Sequence, residues 1–263
     1  MTATPALMPA LFIGHGSPMN AMAGNRFTRG WSDIAAALPR PRAILAISAH
    51  WYTRGTSLTG QAMPPTLHDF HGFPSALSEI QYGAPGDTEL AAELATELAP
   101  FGAHVRDDWG IDHGTWSVLV HMYPNADIPV LQLSIDAMRP PLYHYELGRA
   151  LRPLRERGIL VLGSGGIVHN LQRLDWTNSL PPAVWAAEFD ELVKAKILAS
   201  KDAALIDYPA LGESAQLSVP SPDHYLPLLY VLGSRAPGEA ASIPLTGFDL
   251  GTISMTAVKL AGA

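Results

Sequence analysis

The sequence predicts a single α/β domain over residues 1–263, with a central, mostly parallel β-sheet flanked by helices. Three observations predict this fold class. The chain has 263 residues, a length that suits one large α/β domain. Short apolar runs alternate with amphipathic segments, which is the pattern of strands joined by helices. Hydrophobic residues make up 48% of the chain and charged residues only 16%, which excludes an intrinsically disordered protein.

The apolar runs predict five strands, at residues 10–13, 43–48, 129–135, 159–162 and 252–259. The first four runs are nearly continuous in apolar residues, as expected for strands that are buried on both faces. They therefore predict the largely parallel sheet.

The segments between the runs predict helices. Residues 88–99 carry leucines at every fourth position, and Asp87 is the expected N-cap. Residues 142–157 place leucines on one face and charged residues on the other, and residues 183–199 follow a pair of prolines. In such α/β sheets, ligands bind beyond the carboxyl ends of the strands, so polar residues that follow the apolar runs are the first candidates for function.

Composition excludes several classes of function. With 17 Lys and Arg against 24 Asp and Glu, the chain has a formal net charge of −7 and no basic cluster for nucleic acid. It has no cysteine, which excludes disulfides, thiolate metal sites and iron–sulfur clusters. No apolar run approaches the ~20 residues that span a membrane, and residues 1–13 lack the basic start of a signal peptide. We therefore expect a cytoplasmic protein without nucleic-acid or membrane partners, and the sequence indicates no particular oligomeric state.

Histidines follow three of the predicted strands. His15 and His50 follow the first two apolar runs, and His169 follows the fourth. Glycines flank His15 and precede His169, and glycine permits close approach of the backbone to a ligand. These three histidines are therefore expected at the edge of the sheet where ligands bind.

Two further histidines are predicted near the starts of helices. Asp112 is the expected N-cap of a helix that begins at His113. His224 lies where Ser221 is expected to cap a helix and Pro222 to occupy its first position. Because strand ends and helix starts meet at the same edge of an α/β sheet, all five histidines are expected to lie close together.

Such a group of histidines suggests a metal site. Neutral imidazole is a common ligand of zinc, iron, copper and nickel. Since cysteine is absent, the ligands must be imidazole, carboxylate and water. However, a single histidine at a strand end is more often a hydrogen-bonded core residue, and the chain has no HExxH motif. The spacing alone leaves both interpretations open.

Five sequence blocks carry a resemblance to a known family. They are GHGSPM at 14–19, SAHW at 48–51, DFHGFP to YGAPG across 69–86, WGIDHGTW at 109–116 and GSGGIVHN at 163–170. In order and over most of the chain, they resemble class III extradiol ring-cleavage dioxygenases, in the 4,5-DOPA dioxygenase branch related to the larger subunit of protocatechuate 4,5-dioxygenase. The resemblance implies one α/β domain with a mononuclear Fe(II) cofactor, or Zn(II) as the bound metal.

The resemblance also implies roles for the histidines. His15 and His50 match the two metal-binding histidines of the family, and His224 falls where more distant relatives supply a carboxylate as third ligand. His169 matches a histidine at the metal that acts as acid/base or as a ligand. His113 matches a second active-site histidine. The implied partners are a catechol, DOPA-like, and O₂, and the implied product of ring opening is a semialdehyde.

Several residues around these motifs have open roles. Tyr52, Phe70, Phe73 and Trp116 are candidate walls for an aromatic ring, although each could equally be core packing. The histidine of the DFHGFP block, His71, is expected at the edge of a pocket or in solvent. No lysine or arginine falls in a motif where it would bind a substrate carboxylate.

Two other functions remain open at this point. A zinc-dependent hydrolase on a similar scaffold would use the same imidazoles to make a nucleophilic hydroxide. A non-catalytic protein that binds a metal or an aromatic ligand would need no further titratable groups, so the presence of both His113 and His169 argues against it. The usual set of two histidines and one carboxylate would require that Asp223, beside His224, turn toward the metal.

Overall fold

The computed structural model describes residues 7–261. In this range the strands are β1 (Ala10–Gly14), β2 (Ala43–Ser48), β3 (Tyr52–Thr53), β4 (Ser57–Thr59), β5 (His104–Arg106), β6 (Val130–Gln132), β7 (Ile135–Asp136), β8 (Ile159–Gly165), β9 (Ala241–Leu245), β10 (Phe248–Asp249), β11 (Ile253–Ser254) and β12 (Ala257–Leu260). Six of these strands form the main sheet in the order β6-β2-β8-β1-β12-β9. The extent of the domain over residues 1–263 stays a prediction.

The helices in the same range are α1 (Arg26–Ala36), α2 (Ser75–Ser78), α3 (Thr88–Glu97), α4 (His113–Met122), α5 (Pro141–Glu156), α6 (Val184–Leu198), α7 (Asp202–Ile206), α8 (Glu213–Ser218) and α9 (Leu226–Gly233). Short 3₁₀ turns lie at Pro18–Met22, Ala99–Phe101, Leu171–Arg173 and Tyr208–Leu211. Between residues 7 and 261, no helix is both long and apolar enough to cross a membrane. The cytoplasmic location stays a prediction.

The main sheet is mostly parallel, as predicted. Strands β6, β2, β8 and β1 run parallel, β12 pairs antiparallel with β1, and β9 pairs antiparallel with β12. The carboxyl ends of β1, β2 and β8, which are neighbours in the sheet, therefore meet at one edge. This edge is where the α/β fold places a ligand site.

Alternate side chains of the central strands form two apolar cores, one on each face of the sheet. Phe12, Leu45 and Val161 belong to the core that packs against α5 and α9. Leu11 and Ile44 belong to the opposite core, which packs against α1 and α4. Because each such side chain is fully buried, each contributes about 1.5–3 kcal/mol relative to exposure.

Two predicted strands are divided. The run 129–135 forms β6, which pairs with β2, and β7, which pairs with β3; between them, the hydroxyl of Ser134 accepts a hydrogen bond (2.8 Å) from the first amide of β4. The run 252–259 forms β11 and β12, and the Thr256 hydroxyl between them donates to Asp190 at 3.1 Å. At each break, a side-chain hydroxyl is thus hydrogen-bonded to a distant segment.

The helix predicted near residue 221 begins later than expected. The carbonyl oxygen of Pro222 accepts from the amides of Tyr225 (3.0 Å) and Leu226 (2.9 Å), which forms a turn before α9 begins at Leu226. The predictions that Ser221 caps this helix and that Pro222 is its first residue are therefore wrong. His224 lies in the turn, and the helix follows it.

Candidate metal centre

Five histidines come together at the carboxyl ends of β1, β2 and β8. His15, His50 and His169 lie in the connections that follow these strands, His113 is the first residue of α4, and His224 lies in the turn before α9. The ring centroid of His15 is 5.1 Å from that of His50, 5.3 Å from that of His224 and 5.9 Å from that of His113. The rings of His169 and His224 stack, with centroids 3.4 Å apart and planes inclined by 5°.

The start of α4 is held by hydrogen bonds against the end of β2, the strand that precedes His50. The carboxylate of Asp112 accepts from the amide of Thr115 (3.2 Å), which confirms the predicted N-cap, and also from the hydroxyl of Ser48 (2.7 Å). A Cβ on Gly114 would lie 2.6 Å from the Ser48 hydroxyl oxygen and 2.8 Å from Cδ2 of His50. Glycine at this position therefore allows α4 to approach the site.

The glycines of β8 admit the segment that carries His224. A Cβ on Gly163 would lie 2.7 Å from the carbonyl oxygen of Pro227, and one on Gly165 would overlap the carbonyl oxygen of His224. These two glycines were expected to permit approach to a ligand. Instead, they permit close packing of residues 224–227 on the sheet, which brings the His224 ring to the strand ends.

The tautomer of His15 is set by Ser164 at the end of β8. The single hydroxyl proton of Ser164 goes to the carbonyl oxygen of Gly114, so the Ser164 oxygen accepts from Nδ1–H of His15 at 2.9 Å. Nε2 of His15 therefore keeps its lone pair. It faces Nε2 of His50 at 3.2 Å.

Asp69, in the loop before α2, orients two of the histidines. One carboxylate oxygen lies 3.3 Å from Nδ1 of His50, and the other lies 3.0 Å from both Nδ1 and the backbone amide of His113. An acceptor at Nδ1 holds the proton there and leaves Nε2 for a ligand. One ligand nitrogen from each of His15, His50 and His113 lies within 4.8 Å of the others.

His224 is held in the same way by its neighbour Asp223. Its Nδ1 is hydrogen-bonded to the Asp223 carboxylate, whereas its Nε2 is buried and has no hydrogen-bond partner in the described part of the chain. Leaving a buried polar atom without a partner is costly, and such an atom calls for an explanation. A metal ion at Nε2 supplies one. Asp223 lies behind His224 and does not turn toward the metal site as a ligand.

Burial keeps most of these imidazoles neutral. It is the largest cause that lowers the pKa of four of them, His15, His113, His169 and His224. Burial alone would also lower the pKa of His50, but the hydrogen bond to Asp69 and the nearby carboxylates outweigh it and raise that pKa. Neutral imidazole is the form that binds a metal, so the donor set fits a divalent cation.

The histidines line one end of a cavity of about 420 Å³, a size that suits a small organic ligand. Phe70 and Phe73 line this cavity, as predicted, and His71 lies at its rim. Trp116 is core instead, because it is fully buried and its indole N–H donates to the carbonyl of Leu67 at 2.8 Å. Tyr52 does not line the cavity either, so Phe70 and Phe73 are the two of the four candidate aromatic residues that line it.

The sequence interpretation missed Asp69. A carboxylate between His68 and His71 in a loop bounded by proline and glycine was the available signal. Because the loop has no periodicity, nothing in the sequence shows that this carboxylate reaches His50 and His113. The roles of the individual histidines as ligand or acid/base stay predictions.

Comparison with known proteins identifies the family. Residues 9–238 match the family described as the catalytic LigB subunit of aromatic ring-opening dioxygenase. The chain belongs to the LigB family. Since this match covers most of the chain, the protein is an aromatic ring-opening dioxygenase, and the predicted class of enzyme is confirmed. LigB enzymes depend on a metal, for which the histidines supply a site.

Relatives within the LigB family agree with this assignment. The 4,5-DOPA dioxygenase extradiol of Escherichia coli (strain K12) is 47% identical over 96% of this chain and 94% of that protein. The 4,5-DOPA dioxygenase extradiol of Beta vulgaris is 35% identical over 94% of each chain. A crystal structure of an uncharacterized protein from Escherichia coli K12 has a TM-score of 0.85 at 44% identity, covering 97% of this chain and 100% of that chain. The resemblance to class III extradiol dioxygenases of the 4,5-DOPA branch is thus confirmed.

Proposed function

We propose that His15, His50 and His224 hold one divalent metal ion, with Fe(II) as the metal of the active enzyme and Zn(II) as a metal that the same nitrogens would bind. Nδ1 is hydrogen-bonded in His15 and His224, and in His50 it lies 3.3 Å from the Asp69 carboxylate, so Nε2 is the ligand atom in all three. The buried Nε2 of His224, which has no hydrogen-bond partner in the described part of the chain, supports His224 as the third ligand. Three protein ligands leave open positions for substrate and O₂.

We propose that the substrate is a catechol with a side chain on its ring, and DOPA is the first candidate. Two relatives that align with nearly the whole chain are 4,5-DOPA dioxygenases. Phe70 and Phe73 contact each other edge to face, with centroids 5.5 Å apart, and form an aromatic wall beside the histidines. Such a wall suits a planar ring.

His169 is the proposed acid/base. When bound, Fe(II) would supply an open face for both catechol oxygens and a path for electrons from the catechol to O₂. Because burial lowers the pKa of His169 well below its ordinary value, its imidazole is neutral near pH 7. Coordination to the metal would lower the pKa of the catechol, so that this imidazole can accept the proton of a catechol hydroxyl. It later returns this proton when the ring is cleaved at the carbon–carbon bond next to the diol. The product is a semialdehyde that contains both atoms of O₂.

His113 is proposed to hydrogen-bond the substrate or the bound oxygen. The Asp69 carboxylate lies 3.0 Å from Nδ1 of His113 and favours a proton on that nitrogen, which makes Nε2 an acceptor at first. His113 therefore acts as a donor only after Nε2 has taken up a proton.

The observation that carries the proposal is the family match together with three oriented imidazoles in one cavity. The test is oxygen uptake by protein that has been loaded anaerobically with Fe(II), with DOPA and other catechols. We expect one O₂ consumed per catechol and no turnover with Zn(II). Absence of oxygen uptake with every catechol would overturn the proposal, and turnover without oxygen would indicate the zinc-dependent hydrolase instead.

A further inference from the structure

We infer that this enzyme selects catechols whose ring substituent is uncharged and apolar, and that it converts them more efficiently than matched catechols that carry a carboxylate. The inference rests on the proposed function, because it concerns the part of the substrate beyond the diol. DOPA would then be a substrate, but one with a lower kcat/KM than a neutral analogue.

The direction of the substituent follows from the geometry of a catechol. The two oxygens occupy one edge of the ring, and a substituent at position 4 points away from that edge. With the oxygens held at the histidines, the substituent extends toward the other end of the cavity. Beyond Phe70 and Phe73, that end is lined by apolar side chains from two segments: Leu171, Leu174, Trp176 and Leu250.

Charged partners for a carboxylate are missing from this end. Among the described residues that line the cavity there is no lysine or arginine, and the polar groups at the rim are those of His71 and Ser17. Leu171 and Trp176 lie at the solvent-exposed opening, or mouth, of the cavity. Arg173 belongs to the same 3₁₀ turn as Leu171, but its side chain is exposed and does not line the cavity. Because a carboxylate loses favourable hydration when it enters an apolar site without a cation, its binding is weakened.

Two side chains at the mouth have apolar surface that a substituent would cover. Trp176 is 79% exposed and Leu171 is 60% exposed, although both line the cavity. Exposed apolar patches of this kind commonly mark ligand-binding sites. An alkyl group that packs against these two side chains would increase kcat/KM by about three- to fourfold for each methylene buried.

The test compares substrates of one skeleton with the Fe(II)-loaded enzyme at one pH. The substrates are 3-(3,4-dihydroxyphenyl)propanoate, its uncharged methyl ester, 4-propylcatechol and DOPA. We expect kcat/KM for the ester and for 4-propylcatechol to exceed that for the acid and for DOPA by at least tenfold. Equal or higher kcat/KM for the acid or DOPA would overturn the inference. If no catechol is converted, the proposed function itself fails.

A binding measurement separates recognition from turnover. Quenching of tryptophan fluorescence on addition of each compound to the Zn(II)-loaded protein should give the same order of dissociation constants. The Trp176→Phe variant shows how much of the quenching comes from this residue. A tighter dissociation constant for the acid than for the ester would contradict the inference without any reference to catalysis.

Substitutions at the mouth make the test specific. Trp176→Ala should lower kcat/KM for 4-propylcatechol about tenfold and change that for the acid much less. Leu171→Lys introduces a cation and should raise kcat/KM for the acid about tenfold. Arg173→Gln is the matched control and should leave the ratio between neutral and acidic substrates unchanged. Selective loss of acid turnover in Arg173→Gln would show that this arginine binds the carboxylate, which would overturn the inference.

Discussion

Replacing Asp69 by asparagine should weaken metal binding without unfolding the protein. Asp69 receives contacts from three nitrogens, namely Nδ1 of His50 at 3.3 Å and Nδ1 and the amide of His113 at 3.0 Å. Asparagine has a single acceptor oxygen, so its NH₂ group must face one of the two imidazole N–H groups. One of the two histidines then loses the acceptor that holds its tautomer.

The size of the effect follows from the strength of one lost contact. A hydrogen bond to a charged group contributes about 1.5–3 kcal/mol. Because the Asp69 side chain is 21% exposed, the lower half of that range applies. A loss of about 1.5–2 kcal/mol corresponds to metal binding weakened roughly 10- to 30-fold, which lies within the range expected for a partner of a metal-binding histidine.

Isothermal titration calorimetry of Zn(II) binding, in competition with a chelator, measures this change. The control is Asp127→Asn, which removes a carboxylate that lies 2.8 Å from Arg40 on the surface. We expect the control to bind Zn(II) like the parent protein, and the thermal unfolding of metal-free Asp69→Asn to stay within a few degrees of the parent. An affinity within threefold of the parent for Asp69→Asn would refute the role assigned to this carboxylate.

Four further outcomes are expected. His15→Ala should abolish stoichiometric metal binding, measured by elemental analysis, because it removes a central ligand. His169→Gln should keep the metal and lower kcat by about 10²- to 10⁴-fold, the usual contribution of an acid/base group. Burial lowers the pKa of His144 to about 4, so the unfolded state binds more protons between pH 4 and 6.5. The free energy of unfolding should therefore fall by roughly 3 kcal/mol more in the parent than in His144→Gln as the pH decreases through this range. Arg155→Met should destabilise the fold by about 3–5 kcal/mol, because the fully buried Arg155 is ion-paired with Glu239.

Each of these outcomes has a result that would contradict it. Full metal content in His15→Ala would exclude this ligand, and unchanged turnover in His169→Gln would remove the acid/base assignment. If the free energy of unfolding, measured by chemical denaturation, depends on pH in the same way in the parent and in His144→Gln, the pKa of His144 does not differ between the folded and unfolded states. Double substitution of Arg155 and Glu239 by apolar residues should be less destabilising than Arg155→Met alone, and a larger loss would contradict the explanation by an unpaired buried charge.

The sequence predicted the fold and the convergence of the histidines because both depend on local patterns. Continuous apolar runs indicate buried strands, and parallel neighbours bring their carboxyl ends to one edge, so His15, His50 and His169 had to lie near one another. The N-cap at Asp112 could also be predicted from a local pattern, because an acidic side chain directly before a helix accepts hydrogen bonds from the first backbone amides of that helix.

The features that the sequence did not predict depend on contacts between distant segments. The break at Ser134 coincides with a hydrogen bond to β4, and the turn at His224 arises from packing on the glycines of β8. The burial of Trp116 depends on which face of α4 meets the sheet. Asp69 lies in a loop whose path no periodic pattern describes, so its contact with two histidines required the folded structure.

The hydrogen bonds of Ser164, Asp69 and Asp223 orient three imidazoles before any ion arrives. Imidazoles whose tautomers are set in advance are ready to bind a divalent cation, and nitrogen ligands alone do not favour ferrous iron. In the Irving–Williams order, zinc binds such nitrogens more strongly than ferrous iron. The metal content of a purified sample will therefore depend on the growth medium and on handling, and with Fe(II) as the proposed active metal, specific activity should be expressed per atom of iron.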